Sequence, residues 1–148
     1  MQNLLNSVSI VLPSYNEELN IKEAITRIIN TLGNNLLEII IIDDNSSDNT
    51  RKIVESFSSE KVKYHYNPVN IGSVANFKKV VNLAQGKFFC WLQDDDLLCE
   101  DFVENAYKAY SQFENITLYY SFAITTPTPD ITHARKLYGS PVRLDWVK

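Results

Sequence analysis

Glycine is scarce in this chain, with four in 148 residues at positions 33, 72, 86 and 139. Those four build neither a G-x-G-x-x-G turn nor a G-x-x-x-x-G-K-[ST] loop, so a glycine-rich backbone cradle for phosphate is excluded. Cysteine is scarcer still. Cys90 sits in an apolar run and Cys99 in the polar segment after it, a placement that suits two free thiols of a reducing compartment. Two cysteines and two scattered histidines lack metal-site spacing. No apolar stretch approaches the ~20 residues that span a bilayer. The N-terminal MQNLLNS has no basic segment followed by an apolar one, so no signal peptide is read and a cytoplasmic location is expected. An excess of positive charge is missing too. The formal net charge of -4 argues against a nucleic-acid backbone as partner.

What is present reads as a globular chain, 45% hydrophobic and 22% charged, long enough to bury a core. Short apolar runs alternate with helical patterns. "VSIVLP" (Val8 to Pro13) reads as a buried strand, followed by Ile21, Ala24, Ile25, Ile28, Ile29 and Leu32 on one helix face, with Gly33 as the stop. "EIIIID" (Glu38 to Asp43) is continuously β-branched, which fits a strand covered on both faces and hence a parallel sheet. A second helix carries Ile53, Val54 and Phe57, and a third strand is expected over Val62 to Asn67. Val74, Phe77, Val81 and Ala84 give the stripe of a third helix, and a fourth strand covers Lys87 to Leu92. Phe102, Ala106, Ala109 or Tyr110, and Phe113 mark a fourth helix, before a strand at "ITLYYSFA". This β-α-β-α order predicts an α/β fold, a doubly wound and mainly parallel sheet with helices on both faces. Residues 1–123 form that domain. From 124 the chain turns irregular and proline-rich, as a tail or the start of a truncated acceptor-binding half.

Ligands of such sheets bind beyond the carboxyl ends of the strands. Each strand here ends in a polar cluster: "PSYNEE", "DDNSSD", "NPVNIG" and "QDDD" in turn. The last is the most telling. Asp94, Asp95 and Asp96 repel one another at the end of an apolar strand until a hard cation such as Mg2+ or Mn2+ joins them to phosphate oxygens. With glycine cradles excluded, a metal clamp is the economical way to hold a nucleotide's phosphates.

The segments "VSIVLPSYNEELNI", "EIIIIDDNSSDNT" and "NIGSVANF…AQGKFFCWLQDDDLL" together resemble the nucleotide-binding half of glycosyltransferase family 2, of GT-A fold, from about Val8 to Phe122. The resemblance implies an inverting transferase that uses a nucleotide-diphosphate sugar with Mg2+ or Mn2+. Its acceptor would be a glycan or a lipid-linked molecule, as in polysaccharide biosynthesis. A lipid-linked acceptor would bring the chain to the inner face of the membrane as a peripheral protein. Carried over by position, Pro13, Tyr15 and Glu17 line the base and ribose pocket. Tyr15 has a flat face for stacking and Glu17 accepts hydrogen bonds from ribose hydroxyls. Asp44 would accept the imide N–H of a pyrimidine, favouring UDP or dTDP donors over cytosine nucleotides. Asn16, Asp43 and Ser46 shape turns. Asp96 matches the metal-binding final acid of the D-x-D signature, with Asp94 and Asp95 as metal or donor-sugar contacts.

Three departures from the family pattern stand out. Phe77 occupies the place of a common arginine and is read as core, with Lys78 and Lys79 beside it as a solvated face or a replacement cation. Gln93 replaces a frequent Asp. Family members also run on for a hundred residues or more beyond this signature into the half that bears the general base, and no residue here is assigned that role. A non-catalytic or truncated nucleotide-sugar-binding module is therefore the alternative. A phospho-acceptor receiver domain fits less well, because its acids follow the first and third strands.

Overall fold

The computed structural model describes residues 6–93, 96, 98 and 101–112. Asp94, Asp95, Cys99, Phe113, the strand expected at "ITLYYSFA" and the tail from residue 124 lie outside the described residues. The chain divides into two compact units, Met1–Leu98 and Cys99–Lys148.

The first unit is built on four parallel strands: β1 (Val8–Ser14), β2 (Leu36–Asp43), β3 (Val62–Tyr66) and β4 (Phe88–Trp91). Their order is β3-β2-β1-β4. Burial explains the sequence of the two central strands. In β2 every residue but Leu37 is buried, and in β1 every residue but Pro13. That is the continuous apolar character a strand needs when both its faces are covered. Side chains alternate across the sheet, so the two faces have different partners. Val11, Ile40 and Ile42 form one layer with Val80 of helix α3 (Ser73–Val81), and Leu83, Ala84 and Trp91 pack against it. Ile10, Leu12, Ile39 and Ile41 point to the opposite face and are fully buried. Helix α1 (Ile21–Leu32) buries Ile21, Ala24, Ile25, Ile28 and Leu32, a stripe of helical period, and neighbours helix α2 (Thr50–Glu55). Ile29, expected in that stripe, is only half-buried. The sheet is thus doubly wound. The crossovers through α1 and α2 carry the chain outward to β3, and α3 brings it back to β4 on the other side of β1.

The third helix departs from expectation. Val74 and Phe77 were read as its buried stripe, yet Val74 is exposed and Phe77 is 44% exposed, its ring tilted against Trp91 at a centroid distance of 5.0 Å. Among the side chains of this helix whose burial is described, the buried ones are Asn76 and Val80. A polar residue, Asn76, occupies the inward position of the first turn because it joins a hydrogen-bond network described below. In the second unit, helix α4 (Phe102–Gln112) buries Val103 and Ala109, whereas Tyr110 is exposed and Phe102 half-buried.

Near the starts of the strands a buried polar cluster ties the sheet to the turn before β4. Glu38, 1% exposed, accepts hydrogen bonds from Ser9 Oγ at 2.7 Å, the Gln85 N–H at 2.7 Å and Lys63 Nζ at 2.6 Å. Burial pushes its carboxyl upward, but these donors outweigh that and hold its pKa below the usual value. Gly86 completes the cluster, donating its N–H to Ser9 Oγ at 2.8 Å. A methyl group at Gly86 would lie 2.7 Å from both Ser9 N and Ser9 Oγ, so glycine is needed for this close approach.

Candidate functional site

The strand ends come level along the carboxyl edge, with Ser14 paired to Asp43 and Asp43 to Tyr66. At this edge the strand order reverses between β1 and β4, since α1 leaves β1 toward one face and α3 enters β4 from the other. A crevice at such a switch point is the ligand position of open α/β sheets. Tyr15 to Glu18 follow β1 and Asp96 follows β4, so the two segments flank the reversal.

Behind β1, two loops are laced together. The Asn16 N–H donates to Ser46 Oγ at 2.8 Å and Asn16 Oδ1 accepts the Ser47 N–H at 2.8 Å. The Glu17 N–H donates to Thr50 Oγ1 at 2.8 Å, and Glu18 exchanges bonds with Asp48 and Asn49. Asn16 and Asn45 both adopt positive φ, +57° and +71°, a conformation that asparagine tolerates better than most residues. Asp43 is consumed internally, its Oδ1 accepting the Ser46 N–H at 2.7 Å and its Oδ2 the Tyr64 hydroxyl at 2.5 Å. Much of the "DDNSSD" signature therefore works as scaffold, in keeping with the turn roles read for Asn16, Asp43 and Ser46. This lacing fixes the backbone beside Tyr15, a residue that is 52% exposed. Pro13 is half-buried, and so is Glu17, whose Oε2 accepts from Asn20 Nδ2 at 2.9 Å.

Ser14 is the one buried side chain among the described residues whose polar atom, Oγ, has no hydrogen-bond partner.

Asp44 sits just past the carboxyl end of β2, 4% exposed. Its Oδ1 accepts from Asn67 Nδ2 and from the Ile71 N–H, each at 2.9 Å, and its Oδ2 accepts the Gly72 N–H at 2.8 Å. Burial raises its pKa. The Ile71, Asn67 and Gly72 donors, with Asn76 alongside, outweigh that and hold the carboxyl below its usual value, so it is ionised at neutral pH. A carboxylate has about four acceptor sites. These three bonds place two donors on Oδ1 and one on Oδ2, with the Asn76 amide close enough to the carboxylate to act on it as well.

Reading the sequence missed Asn67, which falls at the end of the expected third strand and in the "NPVNIG" turn and was given no functional role. Its side chain is buried and bridges Asp44, Asn76 and Lys79. Lys79 is consequently neither a purely solvated lysine nor a free replacement cation, because its ammonium donates to Asn67 Oδ1 at 2.6 Å. The signal that could have found Asn67 is its place directly after β3, opposite the end of β2.

Beyond β4, the Leu92 N–H donates to Val11 O at 3.0 Å, and the Asp96 N–H closes a turn onto Gln93 O at 3.1 Å. Asp96 is exposed. Its carboxylate is a hard oxygen donor of the kind Mg2+ and Mn2+ take, with substrate and water completing the shell. Among the described residues no three His, Cys, Asp or Glu side chains converge as a metal site, and Asp94 and Asp95 are outside that set. The donor chemistry fits the cation. Cys90 is a free thiol that burial pushes up to about 11, which makes it inert. No described helix is long and apolar enough to cross a membrane.

The family model described as "Glycosyl transferase family 2" matches residues 9–144. The chain is 36% identical over 90 residues to UDP-Glc:alpha-D-GlcNAc-diphosphoundecaprenol beta-1,3-glucosyltransferase WfgD of Escherichia coli, covering 61% of this chain and 35% of that protein. Among solved structures, glucosyl-3-phosphoglycerate synthase from Mycobacterium tuberculosis in complex with UDP aligns with a TM-score of 0.65 at 23% identity, over 88% of this chain and 48% of that one. The mannosyltransferase PcManGT from Pyrobaculum calidifontis, in complex with GDP-Man and Mn2+, aligns with a TM-score of 0.59 at 23% identity, over 69% and 31% of the two chains. These two structural likenesses bear on the fold.

Proposed function

The chain belongs to glycosyl transferase family 2, and from that premise we propose that it binds a UDP- or dTDP-sugar together with Mg2+ or Mn2+ and takes part in inverting transfer of the sugar to a glycan or lipid-linked acceptor. The observation that carries this reading is the Asp44 carboxylate, ionised and immobilised by three donors, with Oδ2 its less occupied oxygen, at the carboxyl edge of the sheet.

An ionised acceptor there suits the N3–H of uracil or thymine, and rejects neutral cytosine, which offers no donor at that position. Guanine also carries a ring N–H, so a GDP-sugar belongs in any donor screen. Tyr15, exposed and held by laced loops, stacks on the base. Glu17 accepts from the ribose hydroxyls, and Pro13 lines the pocket. Asp96, with Asp94 and Asp95, would hold the cation against the diphosphate. A bound dication there would offset the negative charge that grows on the nucleotide-diphosphate leaving group. The acceptor hydroxyl needs a carboxylate base, and none is assigned in this chain. The E. coli relative's name specifies a diphosphoundecaprenol acceptor. A similar acceptor would bring this protein to the membrane's inner face.

The test is calorimetric titration with UDP, dTDP, CDP and GDP, with and without Mn2+. The reading predicts binding of UDP or dTDP strengthened by the metal, with the strengthening lost in Asp96→Ala. Absence of nucleotide binding by the folded chain would refute it. Slow release of free sugar from a bound donor, abolished by the same substitution, separates transfer activity from the alternative, a module that binds without transferring.

A further inference from the structure

We propose that Asn67 is a positioning residue that selects which oxygen of Asp44 faces the nucleotide base; this rests on the donor-site reading above. Asn67 is 2% exposed and every polar atom of its side chain is engaged. Its two amide hydrogens go to Asp44 Oδ1 at 2.9 Å and Asn76 Oδ1 at 2.6 Å, while its Oδ1 accepts Lys79 Nζ at 2.6 Å. Its backbone N–H donates to Asp43 O at 2.9 Å, which anchors the residue to the end of β2.

The orientation of the amide is forced. Rotating it by half a turn would set its NH2 against the Lys79 ammonium, and its oxygen against both the Asp44 carboxylate and Asn76 Oδ1. Lys79 also polarises the amide and strengthens the bond it donates to Asp44. Together with the Ile71 N–H, that bond fills the acceptor capacity of Oδ1 and leaves Oδ2, which takes the Gly72 N–H, as the less occupied oxygen to face a ligand. The ionisable groups around this network are Lys79 on α3, His65 on β3, whose ring is influenced by Lys79, and Asp43 on β2.

Asn67→Asp separates positioning from simple stapling of the loop. The new carboxylate keeps an oxygen for Lys79 but sets its other oxygen against Asp44 Oδ1. Two carboxylates at that distance share a proton only as pH falls. The measured quantity is selectivity for UDP over CDP in the presence of Mn2+, a ratio that cancels the titration of phosphate and metal. It is read at pH 8 and pH 5.5 under conditions where circular dichroism finds the variant folded. The wild-type chain contains the same His65 and serves as the control.

The expected result is wild-type selectivity that is the same at both values. In the variant, selectivity should be about tenfold lower at pH 8 and largely recovered at pH 5.5. Variant selectivity equal to wild type at both pH values would overturn the inference alone. A wild-type chain with no preference for UDP would overturn the base-recognition reading and the inference with it. Should Asn67→Asp fail to fold, Asn67→Ser is measured at pH 8. Lost selectivity with retained Mn2+-dependent nucleotide binding supports positioning, and unchanged selectivity overturns it.

Discussion

Replacing Asp44 by Asn changes one atom of the side chain and should affect both stability and ligand recognition. Three donors converge on the carboxylate. An amide has only one oxygen, and its better orientation turns that oxygen to Asn67 Nδ2 and the Ile71 N–H. Its NH2 then faces the Gly72 N–H, donor against donor. Orphaning one such N–H costs about 1–3 kcal/mol, and the two retained bonds each lose roughly 0.5–1 kcal/mol when their acceptor is no longer charged. The sum is about 2–5 kcal/mol. In a chain of 148 residues that corresponds to a melting temperature lower by about 6–15 °C. The same NH2 occupies the position left open to the base, where it meets an imide N–H and weakens UDP binding by about 10–100-fold. Differential scanning fluorimetry and calorimetric titration read the two effects. A variant that melts within about 2 °C of wild type and binds UDP normally would refute the reasoning.

Ser14→Ala removes a buried hydroxyl that has no hydrogen-bond partner, so thermal unfolding should find the variant as stable as wild type or up to about 1 kcal/mol more stable. Acid should weaken the fold in two stages. His65 is held below its ordinary pKa by burial and by Lys79 and Lys63, so the unfolded chain binds its proton first, and stability declines shallowly as pH falls below about 6.5. Glu38, Asp44 and Asp48 are held below their ordinary values, their hydrogen-bond donors outweighing the burial that would raise them. Their contribution is therefore present above about pH 4.3 and lost as pH falls through the folded pKa values, a steeper second stage visible in urea midpoints across the pH range.

The alternation of elements was legible because each strand is bounded by turn chemistry and β2 carries an unbroken isoleucine run. A run of that kind admits only a strand with both faces covered. Asp44 and Asp96 were singled out through the family resemblance, and the buried β2 strand before Asp44 explains why that charge is compensated by hydrogen-bond donors. The polarity of α3 was less legible. Periodicity assigned Val74 and Phe77 to the interior, yet the helix turns Asn76 inward, since a buried amide that bonds to Asn67 beside the Asp44 carboxylate is satisfied there. Hydrophobic period cannot anticipate a polar partner supplied by a loop nine residues away. The scaffold role of Asp48 and Glu18 was equally hidden, because the bonds that define it cross between two loops about thirty residues apart.

Occupancy of the sheet edge can be observed directly by crystallising the protein with UDP and Mn2+ and locating the metal in its anomalous signal. The account predicts manganese within about 2.0–2.3 Å of an Asp96 carboxylate oxygen and joined to the diphosphate, with the uracil ring over Tyr15 and its N3–H on Asp44 Oδ2. An unobstructed crevice that stays empty of metal and nucleotide at saturating concentrations, or nucleotide bound elsewhere on the protein, would contradict it.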